Sequence, residues 1–373
     1  MNRRQFFRRA AGTGLLFCPA SWRSWEDLYV FSDRGNVSRK EARFYNKLAD
    51  REIECRLCPR LCRLGDKERG YCGVRENDAG TYRTLVYGKA CSMGIDPIEK
   101  KPFLHFLPGS SALSIATAGC NVNCKFCQNW EISQVRAEQV DAFDLPPASV
   151  AENAIKYQCP VIAYTYSEPV VFYEYMVDAA AEARRRGLRN VVVTGGYINA
   201  EPLRELVQAV DAIKVDLKGF SQDFYAKYVR GELKPVLEAI QTIHASKTWL
   251  EIVYLVIPSL NDGEETIRAM SRWIKTEVGP DVPLHFSRFY PMYLLKNLPE
   301  TPLSTLERAY QAARSEGLRY VYIGNVPGHE AENTFCPRCG KPVVKRSGFL
   351  VESLSLQDGC CRFCREPIPG IWA

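Results

Sequence analysis

The feature that most constrains the fold is an alternation of two kinds of segment between residues 112 and 323. Seven short apolar, often β-branched runs are predicted strands: 113–117, 161–166, 190–194, 212–216, 250–257, 284–289 and 320–323. Helix-like segments lie between them: 148–157, 170–186, 201–210, 234–246, 264–276 and 305–316. This alternation predicts an α/β fold with a parallel sheet and crossover helices. Six or seven such units favour a full or partial (β/α) barrel over an open sheet.

Three cysteines follow the first predicted strand with C-x3-C-x2-C spacing, at Cys120, Cys124 and Cys127. A closed zinc site takes four ligands, and an ordinary cubane cluster also takes four cysteines. The loop holds no fourth cysteine, so it predicts a [4Fe–4S] cluster with one iron open to a reactant. The alternative is half of a zinc site that a distant residue completes. Phe126, beside the last cysteine, offers a flat apolar face next to the metal.

The chain has 15 cysteines, most of them in close clusters, which is typical of metal ligation and not of a disulfide framework. Near the C-terminus, two C-x2-C pairs resemble a zinc ribbon, with a rubredoxin-like iron site as the alternative. Its predicted ligands are Cys336, Cys339, Cys361 and Cys364. Cys360 adjoins Cys361, and the spacing favours Cys361 as the ligand.

A second set of four cysteines lies near the N-terminus. Its members are Cys55, Cys58, Cys62 and Cys72. Their spacing fits standard zinc patterns less well, and the ligand type allows either zinc or a second iron–sulfur cluster that relays electrons. We therefore predict an N-terminal cysteine module with a connector at 50–110, a barrel at 111–330 and a zinc-ribbon-like module at 331–373.

Residues 1–20 resemble a twin-arginine export signal, because Arg3 and Arg4 precede an apolar run over residues 10–17. That run is too short to span a bilayer, so no integral membrane span is expected. We expect export and a periplasmic or membrane-associated location; the alternative is an uncleaved basic tail on a cytoplasmic protein. The net charge is +6, of which these residues supply four arginines and no acid. The remainder gives no indication of nucleic-acid binding.

The three-cysteine loop resembles the signature of radical S-adenosylmethionine (SAM) enzymes. The wider chain, from about residue 50, is similar to the AmmeMemoRadiSam-system enzymes, relatives of pyruvate formate-lyase activating enzyme. The stretches that carry the resemblance are 96–102, 164–169, 214–219, 255–258 and 285–289.

The resemblance implies a radical SAM barrel in which SAM chelates the open iron through its amine and carboxylate. Reductive cleavage then gives a 5′-deoxyadenosyl radical that abstracts hydrogen from a substrate, and no catalytic residue is expected beyond the cluster and SAM. Glu168, at the end of the second strand, is expected to accept a hydrogen bond from the SAM amine; a helix N-cap carboxylate is the alternative. Gly195 and Gly196 permit backbone approach to a ligand. The family more often carries Asn at the position of Gly195.

The fourth to sixth strands end in further candidates. Asp216 and Lys218 lie at the SAM site in relatives, and a structural ion pair between them is the competing interpretation. Residues 257–258 are expected to pack against adenine. Arg288 could meet the substrate or the SAM carboxylate, and so could His285, for which a hydrogen-bonded core histidine is the alternative.

The expected activity is oxidoreductase-like hydrogen abstraction from an unidentified substrate. One alternative is an activating enzyme that installs a glycyl radical in a protein. Another is the modification of a small molecule or of a partner linked to Memo-like and AMMECR-like proteins. A flavodoxin- or ferredoxin-like protein is the expected electron donor. From a different class, the chain could be an exported electron-transfer or metal-binding protein.

Overall fold

The computed structural model describes residues 35–373 of the chain. The twin-arginine-like segment at residues 1–20 lies outside the described residues, so its role stays a prediction. Within the described residues, no helix is both long enough and apolar enough to cross a bilayer.

The main sheet contains the seven predicted strands in parallel. They are β1 (Ser111–Ala116), β2 (Val161–Tyr164), β3 (Arg189–Thr194), β4 (Ala212–Asp216), β5 (Trp249–Val256), β6 (Leu284–Arg288) and β7 (Val321–Gly324). Six helices alternate with them in the described part of the chain. They are α1 (Pro147–Lys156), α2 (Tyr173–Arg185), α3 (Ala200–Ala209), α4 (Leu233–His244), α5 (Glu264–Glu277) and α6 (Leu303–Ser315).

The order of strands in the sheet is their order along the chain, from β1 at one side to β7 at the other. Parallel crossovers are right-handed almost without exception, so a sheet built in one direction carries its helices on one face and curves around the other. Among residues 35–373, no backbone ladder joins β7 to the opposite edge of the sheet. The predicted α/β barrel fold is confirmed in its partial form.

An eighth strand, Ser92–Pro97, pairs antiparallel with β1 and forms the other edge of the sheet. The sequence did not predict it, because Gly94, Asp96 and Pro97 interrupt any apolar run. The predicted helix at 170–186 also differs from the structure. It starts as a 3-10 helix, Pro169–Phe172, before α2 begins.

The strands form because their residues are buried on both faces of the sheet. All four residues of β2 are fully buried, which is the environment that favours continuous apolar strands over alternating ones. The helices are amphipathic instead. In α5 the apolar side chains of Ile267, Met270 and Ile274, spaced at three and four residues, are buried together with Ser271, while charged residues such as Glu264, Arg272 and Lys275 face outward.

The amino-terminal ends of the strands are closed by residues that follow the edge strand. Ile98, Phe103 and Phe106 pack against the sheet in one apolar cluster. The chain end contributes too, since Ile371 N donates to His105 O at 2.8 Å. With that end of the partial barrel closed, access to its interior is from the carboxyl ends of the strands.

Small sheets precede and follow the barrel. On the N-terminal side, their strands are Lys40–Glu41, Arg75–Asp78 and Thr81–Thr84; and Tyr45–Lys47, Ile53–Cys55 and Arg63–Leu64. A further pair joins Lys89–Ala90 to Phe143–Asp144, which lies between β1 and β2 in the chain. On the C-terminal side, they are Thr334–Phe335, Pro342–Ser347 and Leu350–Leu354; and Leu356–Gln357 with Cys360–Cys361. The short helices are Ala49–Arg51, Ile98–Lys100, Trp130–Ser133, Ala137–Gln139, Gln222–Phe224 with Tyr225–Val229, and Glu330–Glu332.

Candidate functional site

The three-cysteine loop follows β1 and lies at the carboxyl ends of the strands. Its backbone is tied to the helical turn after β4, because Asn123 N donates to Val229 O at 3.1 Å and Lys125 N to Tyr228 O at 2.9 Å. The side chain of Asn121 donates to Tyr197 O at 2.7 Å. These bonds to two neighbouring parts of the barrel fix the loop before any metal binds.

Gly119, directly before the first cysteine of the loop, has to be a glycine. Its φ of +97° is in the region that side chains rarely adopt, and a Cβ there would lie 2.8 Å from Cys72 O and within 3 Å of Val74. The loop therefore begins in close contact with the N-terminal cysteine module.

Cys124 of the loop is buried, and Cys120 and Cys127 are partly buried. Burial raises the pKa of Cys124 to about 12 and also raises the pKa values of Cys120 and Cys127. Because a thiolate is the form that ligates metal, binding must displace protons from these thiols. The ammonium of Lys218 lies close enough to lower the pKa of Cys124 against the larger effect of burial, so it favours the thiolate.

Glu168 is buried at the carboxyl end of β2 and caps the 3-10 helix that follows. Its carboxylate accepts from Val170 N at 3.2 Å, from Thr194 Oγ1 at 2.6 Å and from Gly195 N at 2.8 Å. The N-cap alternative is thus present in the structure. Burial raises the pKa of Glu168 more than these bonds lower it. A carboxylate offers about four acceptor positions, so one remains for an additional donor.

Asp216 lies between two lysines at the end of β4. Its carboxylate pairs with Lys214 and, at 3.1 Å, with Lys218 Nζ. Burial alone would raise the pKa of Asp216, but the two ammonium groups lower it to about 2. The predicted ion pair therefore exists. The pair also holds the Lys218 ammonium beside the cysteine loop. Asp216 raises the pKa of Lys218 against the opposite effect of burial, so the ammonium stays charged.

Two glycines follow β3, and the first of them lies beside both Glu168 and Lys218. A Cβ on Gly195 would be 3.3 Å from Glu168 Oε2 and 3.7 Å from Lys218 Cε, so side chains from β2, β3 and β4 converge at this point. Gly196 has a φ of +70° and packs against Val215. Glu168 and Lys218 therefore lie on either side of Gly195, whose backbone a ligand can approach because it carries no side chain.

Other predicted residues lie differently. Phe126 is buried and packs on Phe224, with ring centroids 6.0 Å apart. His285 is a buried core histidine, with Nε2 2.7 Å from Glu251 Oε2, as its alternative interpretation stated. Arg288 ends β6, and its Nε is buried without a hydrogen-bond partner. Ile257 is buried after β5, where Ile257 N donates to Asn261 Oδ1 at 2.6 Å.

The sequence reasoning missed a polar cluster inside the barrel around Asp96. This carboxylate pairs with Lys100 at 2.6 Å and with Lys101 at 2.5 Å, and it accepts from the hydroxyls of Ser114 at 3.2 Å and of Tyr166. Burial lowers the pKa of Lys101 to about 8 despite Asp96. Asp96 lies on the edge strand Ser92–Pro97, which has no strand pattern of its own, so no feature of the sequence marked this cluster.

The C-terminal cysteines converge on a single point. Ligand atoms of Cys336, Cys339, Cys361 and Cys364 all lie within 4.8 Å of one another. Cys336 Sγ is 3.5 Å from Cys364 Sγ, and Cys339 Sγ is 3.7 Å from Cys361 Sγ. These four thiols could therefore hold one metal ion, and Cys360 lies outside the group. The four N-terminal cysteines line one cavity.

The donor set of the central loop fits a [4Fe–4S] cluster with an open iron. It provides three thiols, and no histidine, aspartate or glutamate of residues 35–373 joins them in a compact metal-binding group. Glu168 and the Asp216–Lys218 pair supply an acceptor and a donor for a zwitterionic ligand. Since the strand ends hold all these groups, the fit is to a cluster together with a small charged cosubstrate.

Comparison with known proteins agrees with this geometry. Residues 114–270 match the model of the radical SAM superfamily. An uncharacterized protein of Methanocaldococcus jannaschii, MJ0808, is 45% identical over 331 residues, which cover 88% of this chain and 98% of that protein. The pyruvate formate-lyase-activating enzyme of Clostridium pasteurianum is 21% identical over 42% of this chain and 66% of its own length.

A radical SAM methyltransferase from Sphaerobacter thermophilus superposes with a TM-score of 0.45 at 15% identity, covering 59% of this chain and 68% of the methyltransferase. The assignment relies on the sequence matches and not on this superposition. From the family match, and from a relative aligned over nearly all of its length, we conclude that this chain belongs to the radical SAM superfamily.

Proposed function

We propose that this protein reductively cleaves SAM and uses the product radical to abstract hydrogen from a substrate. The observation that carries the proposal is the convergence of the three-thiol loop, Glu168 with Gly195, and the Asp216–Lys218 pair. When bound, the [4Fe–4S] cluster supplies the electron that breaks the sulfonium–C5′ bond of SAM. The side chains of the site bind and orient SAM and limit the access of water to it.

Each residue has a physical task in this proposal. Glu168, held by three hydrogen bonds, presents its remaining acceptor position to the SAM amine. Gly195 leaves room for that approach, because any side chain there would crowd Glu168. Lys218 balances the negative charge of the thiolates, and Asp216 fixes its position. The burial of Glu168 and Cys124 limits the access of water to a reactive radical.

The direct test is anaerobic incubation of the reconstituted protein with dithionite and SAM, followed by detection of 5′-deoxyadenosine. Cys124→Ala removes a ligand and should abolish the product. Cys360→Ser, a cysteine outside every metal set, is the matched control and should leave it unchanged. No product from wild-type protein with a reduced cluster would overturn the proposal. It would leave the electron-transfer interpretation instead, since a relay needs no SAM.

Two isosteric variants test the SAM contacts. Glu168→Gln removes the charged acceptor proposed for the SAM amine; hydrogen bonds to charged groups are worth about 1.5–3 kcal/mol, so SAM should bind roughly 10-fold to 150-fold more weakly. Asp216→Asn removes the charge that holds Lys218 in place, so it should weaken SAM binding indirectly. Glu238→Gln, on an exposed side chain, is the control. Equal SAM affinity in all three variants, measured by equilibrium binding, would remove both residues from the site.

Activation of a partner protein by a glycyl radical is the second candidate. It is supported by the similarity to the Clostridium enzyme and to an isethionate sulfite-lyase activating enzyme of Desulfovibrio desulfuricans, which is 27% identical over 29% of this chain. Incubation with a candidate partner, SAM and a reductant should then yield a persistent glycyl-type EPR doublet. For either candidate, we propose a flavodoxin- or ferredoxin-like protein as the electron donor.

A further inference from the structure

We propose that the four N-terminal cysteines hold a second [4Fe–4S] cluster, beside the loop of the first, and not a zinc ion. These residues, here called the N-terminal quartet, are Cys55, Cys58, Cys62 and Cys72. Thiolates can bind either a zinc ion or an iron–sulfur cluster. The distances between the sulfur atoms distinguish these two centres.

The fold brings the quartet together from four points of the chain. Cys55 ends a strand and its N donates to Cys62 O at 2.9 Å, while Leu61 N closes a turn onto Cys58 O at 3.2 Å. Cys72 reaches the same place from the segment that precedes the strand Arg75–Asp78. All four side chains line one cavity, so they can share a single group.

The spread of the thiols distinguishes the two centres. Zinc binds sulfur at about 2.3 Å in a tetrahedron, which sets neighbouring sulfurs about 3.8 Å apart. The C-terminal quartet has this spacing, with separations of 3.5 and 3.7 Å. Among residues 35–373, no three thiols of the N-terminal quartet lie within 4.8 Å of one another, although the C-terminal four do.

A cubane cluster requires the wider arrangement. Each thiolate binds a different iron, and the four iron atoms and four sulfides separate the ligands well beyond the edge of a single-metal tetrahedron. The thiols of the central three-cysteine loop also fall outside the 4.8 Å grouping. The chain therefore contains one compact quartet of zinc type and two wider sets.

The surroundings of the quartet suit an anionic cluster. Tyr71 N donates to Cys62 Sγ at 3.5 Å, a contact of the kind that stabilises cluster sulfurs. The guanidinium of Arg60 lies 3.8 Å over the Tyr71 ring, at the lining of the cavity. In the described part of the chain Arg60 forms no ion pair with an acidic side chain, so its charge is available to the cluster.

The quartet and the central loop are adjacent. Asn121, which follows the first cysteine of the loop, lines the quartet's cavity. Arg60 Nε donates to Asn121 O at 2.9 Å. Gly119, which precedes Cys120, is in close contact with Cys72 O. Two clusters at these positions would have their ligands on touching segments of backbone, so their unpaired electrons should couple magnetically.

The first test is metal analysis of the full chain, prepared anaerobically without mutation. Two clusters and one zinc site predict about eight iron atoms and about one zinc per chain. About four iron atoms and about two zinc atoms would overturn the proposal. In the fully reduced protein, the EPR spectrum should show features of coupling between two clusters; a spectrum of a single isolated cluster would also overturn it.

The second test separates this proposal from the proposed function. A variant with Cys120, Cys124 and Cys127 changed to Ala should keep about four iron atoms and a [4Fe–4S]⁺ EPR signal that does not respond to SAM. Loss of all cluster signal in this variant would overturn the second cluster, provided that it binds zinc like the wild type and is therefore folded. Neither readout depends on SAM cleavage, so a failed activity assay would leave this inference standing.

Discussion

A buried ion pair, Arg75–Glu174, joins the N-terminal cysteine module to α2 of the barrel. Arg75 Nη1 lies 3.0 Å from Glu174 Oε1, and Arg75 Nη2 lies 2.5 Å from Glu174 Oε2. Arg75 Nε also donates to Val171 O at 3.1 Å, and the side chains are 1% and 2% exposed. The pair is bidentate and fully enclosed, so removing one charge leaves the other without compensation.

Glu174→Gln keeps the shape of the side chain and removes its charge. Breaking a buried pair from one side costs about 3–5 kcal/mol of unfolding free energy. At roughly 2.1 cal/mol/K per residue, the 373 residues unfold with an entropy of about 0.8 kcal/mol/K. The variant should therefore lower Tm by about 4–6 °C.

The assay is differential scanning calorimetry of proteins loaded with metal in the same way. Glu238→Gln is the control, because the Lys234–Glu238 pair has side chains 86% and 59% exposed. Such pairs are worth about 0–1 kcal/mol, so its Tm should fall by at most about 1 °C. Arg75→Met combined with Glu174→Leu should recover much of the loss, since no charge is then stranded.

A Tm for Glu174→Gln within about 1 °C of the wild type, as for the surface control, would refute this reasoning. It would mean that water reaches the pair, or that the module does not depend on it for docking. A double variant as unstable as the single variant would instead show that packing, and not charge, dominates the cost.

Three further changes give distinct results. Gly119→Ala should lower the free energy of unfolding by at least about 1–3 kcal/mol through backbone strain, and it should lower the iron content of the loop. Gly187→Ala is the control, because Gly187 also has a positive φ, +75°, but has open space around it. Its fall in Tm measures the backbone strain alone. Lys101 has a pKa of about 8 in the folded protein, in place of its usual 10.5. Between pH 8 and pH 10.5 the lysine is therefore protonated in the unfolded chain but not in the folded one, so stability rises with pH. Lys101→Met should flatten this rise of Tm with pH. Cys361→Ser should lose the C-terminal metal and lower Tm, while Cys360→Ser keeps both, as metal analysis will show; equal metal loss in the two would contradict the assigned ligands.

Much of the fold was predictable because its signals are local. The strands of the parallel sheet are short runs rich in apolar residues, and the helices repeat their apolar residues at helical spacing, so a short window of sequence contains the pattern. The strand Ser92–Pro97 has no such pattern. It is held by its ladder to β1, which is a property of the partner strand and not of its own residues.

The candidate site divides in the same way. The strand-end positions of Glu168, Gly195, Asp216 and Lys218 followed from the sequence and its family resemblance, and the structure brings these residues together. The cluster around Asp96 was missed, because its members come from three separate strand regions and none is unusual alone.

The sequence by itself indicated the radical SAM superfamily, since the three cysteines of the central loop lie within eight consecutive residues. Only the tertiary structure showed which of the other cysteines lie close enough together to hold a single metal ion. Whether thiols far apart in the chain lie close enough for a single zinc ion or far enough apart for a cluster depends on how separate strands and turns pack. Spacing along a sequence sets which ligands can meet, but distances between sulfur atoms are set by the packing that surrounds them.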